Sequence, residues 1–157
     1  MATSVKTDIR QYLTEVLREA AHLEPEAEMR YLEENLPSGC RPLAPSDSSY
    51  DCEMHAIGTN AILSDVVPLL PETDKPEPGD VVIYRGKGRP KHAGRYIGDG
   101  KVAQKCGNLA LIETPVELRT AGEGDSYTFH KITDYDRAYL KKAFVQSDIH
   151  AAVLSLW

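Results

Sequence analysis

Cys52, within the segment Y-D-C-E-M-H-A, is the residue of this 157-residue chain best suited to nucleophilic chemistry. A thiol attacks as its thiolate, and a helix N-terminus favours that anion through its exposed N–H groups and dipole. Asp51 is a good N-cap, so the sequence predicts a helix from Cys52 to Leu63 with Cys52 in its first turn. Such a thiol needs an imidazole to take its proton and later return it to a leaving amine. His92 follows a loop and opens a predicted strand, His92 to Ile97, which a G-D-G turn joins to a second strand, Lys101 to Lys105. Pairing across that turn puts Gln104 on the face of His92, where a polar side chain sets the ring's orientation and tautomer. Cys52, His92 and Gln104 are the candidate catalytic residues, and hydrolysis or transfer at an amide is the chemistry they suit.

Asp51, Glu53 and His55 flank the nucleophile and are the candidate lining of a substrate cleft. His55 follows Cys52 by three residues on one helical face, a Cys-x-x-His spacing that Cys40 or Cys106 would have to complete to bind a metal. The expectation is no metal and no cofactor. Cys40, Cys52 and Cys106 are odd in number and lack a C-x-x-C pair, which argues against a disulfide framework or zinc ribbon and for at least one free thiol. Cys106, beside Gly107, reads as core or as a second reactive thiol. Lys87, Arg89 and Lys91 make a local basic run just before His92 that reads as a solvated loop or as an attraction for an acidic substrate.

The elements that must position these residues follow from periodicity. Ile9, Tyr12, Leu13, Val16, Leu17 and Ala20 recur at helical spacing within Asp8 to Leu23, and Pro25 begins a second short helix that Pro37 to Gly39 stops. Gly39 to Ser49 reads as an irregular loop, and P-E-T-D-K-P-E-P-G-D as a solvated connection. Gly58 weakens the Cys52 helix. Val81 to Tyr84 reads as a buried strand, Leu109 to Ile112 and Ser126 to Ile132 as later strands, and Asp134 to Val145 as a terminal helix started by Thr133.

Length and composition bound the rest. The hydrophobic share of 41% and charged share of 27% are those of an ordinary globular domain, and 157 residues suit one core. The expected organisation is a single domain over 1–157: a helical region at 1–38, a core at 39–132 and a C-terminal helix and tail at 133–157. With 18 basic and 24 acidic residues the formal charge is −6, which disfavours nucleic acid and anionic membranes as partners. No apolar run suits a signal peptide or a membrane span, so the expected location is cytoplasmic.

Three ordered segments resemble the NlpC-type branch of papain-like cysteine peptidases and amidases. Y-D-C-E-M-H-A looks like that family's Y-D-C-S-G nucleophile motif, P-G-D-V-V-I-Y at Pro78 to Tyr84 like its P-G-D-L-V-F-F strand, and H-A-G-R-Y-I-G-D-G-K-V-A-Q at His92 to Gln104 like its histidine hairpin. The resemblance spans Tyr50 to Gln104. It implies a Cys52–His92–Gln104 triad and a role for Tyr50 in shaping the site near the developing oxyanion. It also implies an α+β, papain-like fold: N-terminal helices, the nucleophile helix packed on an antiparallel sheet of about five strands, and a C-terminal helix. Q-K-C-G-N and I-E-T-P extend the similarity to a bacterial branch of the superfamily. The chain departs from the motif at Glu53 and Met54, bulky residues where the family has Ser-Gly.

Two functions compete on these grounds. The first is a cysteine-dependent peptidase, amidase or deamidase acting on a peptide or protein amide. The second is a catalytically inactive papain-like binding module, its cleft closed by Glu53 and Met54, that engages a protein partner.

Overall fold

The computed structural model describes residues 2–58, 63–118, 126–140 and 142, with the backbone alone at 2–8, 53 and 54. Two helices come first, α1 (Ala2–Ala20) and α2 (Pro25–Asn35), the latter with Pro25 at its first position. They match the predicted pair, α1 starting and ending a few residues earlier than the amphipathic pattern. Then follow β1 (Arg41–Ala44), α3 (Cys52–Ile57), α4 (Leu63–Val66), a 3₁₀ turn at Val67–Leu69, β2 (Glu72–Thr73) and β3 (Val81–Gly86). The chain continues through β4 (Arg89–Gly98), β5 (Lys101–Lys105), β6 (Leu111–Pro115) and β7 (Ser126–His130) to helical residues 134–140, here α5.

The architecture is α+β, and its sheet has seven antiparallel strands in the order β1-β6-β5-β4-β3-β7-β2. This corrects the expected count of about five. The two additional strands are the sheet's edges and lie in segments read as loop. Arg41–Ala44 contains a proline and has Pro42 opposite Ile112, and Glu72–Thr73 is held opposite Phe129 and His130. Edge strands need only one row of backbone partners and tolerate proline, so they leave little trace in local sequence. The strand expected at Leu109 to Ile112 begins later, at Leu111, because Leu109 closes a turn onto Cys106.

α3 is shorter than predicted. It stops at Ile57 because Gly58 adopts φ 92°, the left-handed conformation that ends helices and that glycine reaches without strain. α5 starts as expected: Thr133 Oγ1 accepts from Asp136 N at 3.0 Å while Asp136 Oδ2 accepts from Thr133 N at 2.9 Å, a reciprocal cap. The rest of the predicted terminal helix, apart from Lys142, lies outside the described residues.

Strand alternation divides the core between the two faces of the sheet. Val81, Ile83 and Ala93 face α3, α4 and α5, packing with Ala56, Ile57, Leu63, Val66, Leu70 and Leu140. Val82, Tyr84, Val102 and Val116 turn to the opposite face, with Tyr96, Tyr127 and Phe129 at its margin. Ile112, aligned with Gln104, Gly94 and Val82 across four strands, belongs to that second face. There it packs under Leu13, Val16, Leu17 and Leu32 of α1 and α2. The N-terminal helices therefore cover the sheet on the side away from α3. No helix among the described residues is long and apolar enough to cross a membrane.

Gly94, opposite Gln104 on β5, has no room for a side chain. A Cβ there would stand 2.6 Å from Val102 Cγ2 and 3.2 Å from the Ala103 carbonyl oxygen. Because neighbouring backbone and a buried branched side chain have little room to move, Gly94→Ala should destabilise the protein by about 1–3 kcal/mol. Urea unfolding measures it.

Candidate active site

The predicted hairpin is present, and it brings two of the three candidate residues into contact. Gly94 is aligned with Gln104 across β4 and β5, which puts His92 and Gln104 on one face. His92 Nε2 and Gln104 Oε1 are 3.1 Å apart, and both side chains are buried, at 1% and 0% exposure. His92 is thus no exposed loop residue, and Gln104 is no solvated strand position.

Gln104's other contacts decide the protonation of the ring. Its Nε2 donates to the Leu118 carbonyl at 2.8 Å and to Thr114 Oγ1 at 2.6 Å. A carbonyl oxygen only accepts, so the amide nitrogen must face Leu118 and Oε1 must face His92. His92 Nε2 is consequently the donor, and its Nδ1 carries the lone pair of the neutral ring. Tyr84 stacks on the imidazole with centroids 5.5 Å apart, and its hydroxyl donates to the Val116 carbonyl at 2.7 Å. Burial drives the His92 pKa down to about 4; the Gln104 bond opposes this, and nearby His55 adds to it. The ring is a neutral base at physiological pH.

Cys52 begins α3 and is 8% exposed. Only six residues long, α3 has a weaker dipole than the predicted helix and less to offer an anion at its N-terminus. The helix lies along β4 and β5. Near its C-terminal end, Arg95 Nη2 donates to the His55 carbonyl at 3.2 Å, and Arg137 donates from Nη1 to Ala56 O at 2.7 Å and from Nη2 to Gly79 O at 2.5 Å. At its entry, the ring of Tyr50 sits over Lys105 Nζ at 4.6 Å. Cys52 therefore lies toward the hairpin end that carries His92 and Gln104. Strand alternation, however, turns Ala93 and Arg95 to the α3 side and His92 and Gln104 to the side of Tyr84.

The other candidates are placed around α3. Asp51 immediately precedes it, and Glu53 is in its first turn. His55 follows one turn after Cys52; its ring bonds the Ala103 carbonyl, and its Nε2 is buried without a hydrogen-bond partner. Burial, then the positive charge of Arg95, lowers its pKa to about 4. Burial raises the Tyr50 hydroxyl pKa, with Asp47 adding to it. Lys87, Arg89 and Lys91 are exposed around the β3–β4 turn.

None of the three cysteines is in a disulfide. Burial raises the Cys40 thiol pKa to about 11 despite nearby Lys101, which removes it as a nucleophile at neutral pH. Cys106 is buried at the end of β5. Among the described residues no group of three or more His, Cys, Asp or Glu side chains is arranged to hold a metal ion.

Local sequence did not single out Lys105, Arg95, Arg137 or Thr114. Lys105 is fully buried, with Nζ donating to the Leu109 carbonyl at 2.8 Å. Burial lowers its pKa, and Asp47, Cys106, Glu28 and Asp51 oppose that shift. A lysine at the inward position of a strand was the available signal. Comparison with known proteins returns no matching family model, no matching curated protein and no matching solved structure.

Both imidazoles have folded pKa values below the ordinary 6.5, so the unfolded chain binds protons that the native state refuses. Their stabilisation is complete above pH 6.5 and is lost as pH falls from there toward 4. For His92 the loss is on the order of 3 kcal/mol. Urea midpoints measured between pH 7.5 and 4.5 should fall through this window, and the fall should be shallower in His55→Gln/His92→Gln. A second prediction concerns the amide: Gln104→Leu leaves His92 Nε2 and the Leu118 carbonyl unpaired, and should destabilise by about 2–4 kcal/mol in the same assay.

Proposed function

We propose that the chain is a cysteine-dependent hydrolase of papain-like, NlpC-type architecture that cleaves an amide or peptide bond through Cys52, His92 and Gln104. The observation that carries this reading is the buried His92–Gln104 pair, in which a neutral imidazole has its Nε2 proton held by a fixed amide, so that Nδ1 is the basic atom of the ring. Cys52 supports it by starting the helix that packs on the same two strands.

In this mechanism His92 Nδ1 takes the Cys52 thiol proton as sulfur attacks the substrate carbonyl. The negative oxygen that develops is met by the Cys52 backbone N–H, with Tyr50 beside it. Collapse breaks the C–N bond, the leaving amine takes the proton from His92, and water or another amine resolves the thioester. Gln104 keeps the ring from turning during both transfers. The substrate class is a peptide or protein amide, without metal or cofactor. A second reading, a non-catalytic module that binds a protein partner, is favoured by one observation: Ala93, rather than His92, faces α3.

Alkylation by iodoacetamide, mapped by mass spectrometry across pH, tests the base. Cys52 should react at pH 7 while Cys40 does not, and His92→Ala should slow Cys52 by ~10-fold or more. Identical Cys52 profiles in the two proteins would instead support the binding module.

A further inference from the structure

His55 lies on the helix that begins with Cys52, on the side of the sheet that α3 covers. Residues three apart on a helix share a face, and helical side chains lean toward the N-terminus, which points His55 back over the turn that begins with Cys52. The bond from its ring to the Ala103 carbonyl must be donated by the imidazole, because the carbonyl only accepts. Since Nε2 makes no hydrogen bond, the donor is Nδ1. Nε2 then carries a bare lone pair, closed off from solvent and with nothing to accept from. His92 is held in the opposite tautomer, so two neutral imidazoles of complementary protonation sit near one another.

We propose that His55 is a second proton acceptor for the Cys52 thiol, supplied by the helix that bears the nucleophile. The inference rests on the thiol chemistry proposed above and changes which base serves it. In the step, the Cys52 S–H bond breaks and an N–H bond forms at His55 Nε2, giving a thiolate and an imidazolium whose Nδ1–H stays on the Ala103 carbonyl. The same proton returns to the leaving amine when the C–N bond breaks. The charged and titratable groups facing His55 are Arg95 and His92 from β4, Lys105 from β5 and Arg137 from α5. Three are cations, which keep the resting ring neutral and favour the thiolate once it forms. The bond to Ala103 sets the tautomer of the ring without adding a negative charge of its own.

The experiment has two independent readings. Long-range ¹H–¹⁵N correlation spectra of the histidine-labelled wild type at pH 7 should show His55 protonated at Nδ1 and His92 at Nε2; a proton on His55 Nε2 overturns the proposal. Iodoacetamide profiles of Cys52 are then compared in wild type, His55→Gln, His55→Asn and His92→Ala, each checked for folding by circular dichroism. If both His55 variants slow Cys52 at pH 7 by ~10-fold or more and move the profile to higher pH, the proposal holds. Profiles that overlay wild type sink it. A loss in His92→Ala alone leaves the hydrolase reading standing with His92 as sole base, and a loss in none of the variants removes both bases.

Discussion

The side-chain amide of Gln104 is the constraint on which the candidate site depends. It is fully buried near the end of β5, and each of its polar atoms has a partner: His92 on one side, Thr114 and Leu118 on the other. Burying an amide is tolerable only when its hydrogen bonds are made, so this side chain has one orientation. That orientation sets the His92 tautomer, and with the stack on Tyr84 it sets the plane of the ring. The β4–β5 register, with Gly94 opposite Gln104, puts the two side chains on one face. Thr114 and Leu118 complete the network only because β6 is paired to the other edge of β5.

Cys52, the candidate nucleophile, is positioned by different means. α3 has too few residues to be stable as an isolated helix, and tertiary contacts hold it instead. Its inner face is pinned by Ala56 and Ile57 in the core, two of its carbonyls by the guanidinium groups of Arg95 and Arg137, and its approach by the Lys105–Tyr50 contact. These contacts come from β4, β5 and α5, elements far apart in sequence. The 45–50 loop leading into α3 is tied down as well. Glu28 of α2 accepts from Ser46 N at 2.8 Å and from Ser46 Oγ at 3.0 Å, and Asp47 N donates to the Asn108 carbonyl at 3.1 Å. The N-terminal helices thus influence Cys52 through the loop, while lying on the opposite face of the sheet.

Electrostatically the site is a region of suppressed positive charge on imidazole. Burial alone disfavours both imidazolium ions, and the cations around His55 add to the effect. In the proposed reaction, proton transfer from the Cys52 thiol is therefore a step of catalysis rather than a resting thiolate–imidazolium pair. This differs from a site in which a carboxylate orients the histidine. Gln104 fixes the orientation of His92 without adding charge.

Local patterns were enough to read the helical N-terminus, the β3 strand and the β4–β5 hairpin, because turn chemistry and apolar periodicity act over a few residues. The pairing of His92 with Gln104 was legible too, since a tight G-D-G turn leaves the register little freedom. The edge strands were not, because Arg41–Ala44 and Glu72–Thr73 have no apolar periodicity of their own and exist through their partners. The sequence by itself determined which residues bear reactive groups and which strand face His92 and Gln104 share. Only the tertiary structure decided the tautomer of His92, the end of α3 at Gly58, the burial of Lys105 and the nearness of His55 to His92. Each of these depends on groups brought together across the sheet, where burial and hydrogen-bond partners arise from packing that no stretch of chain carries within itself.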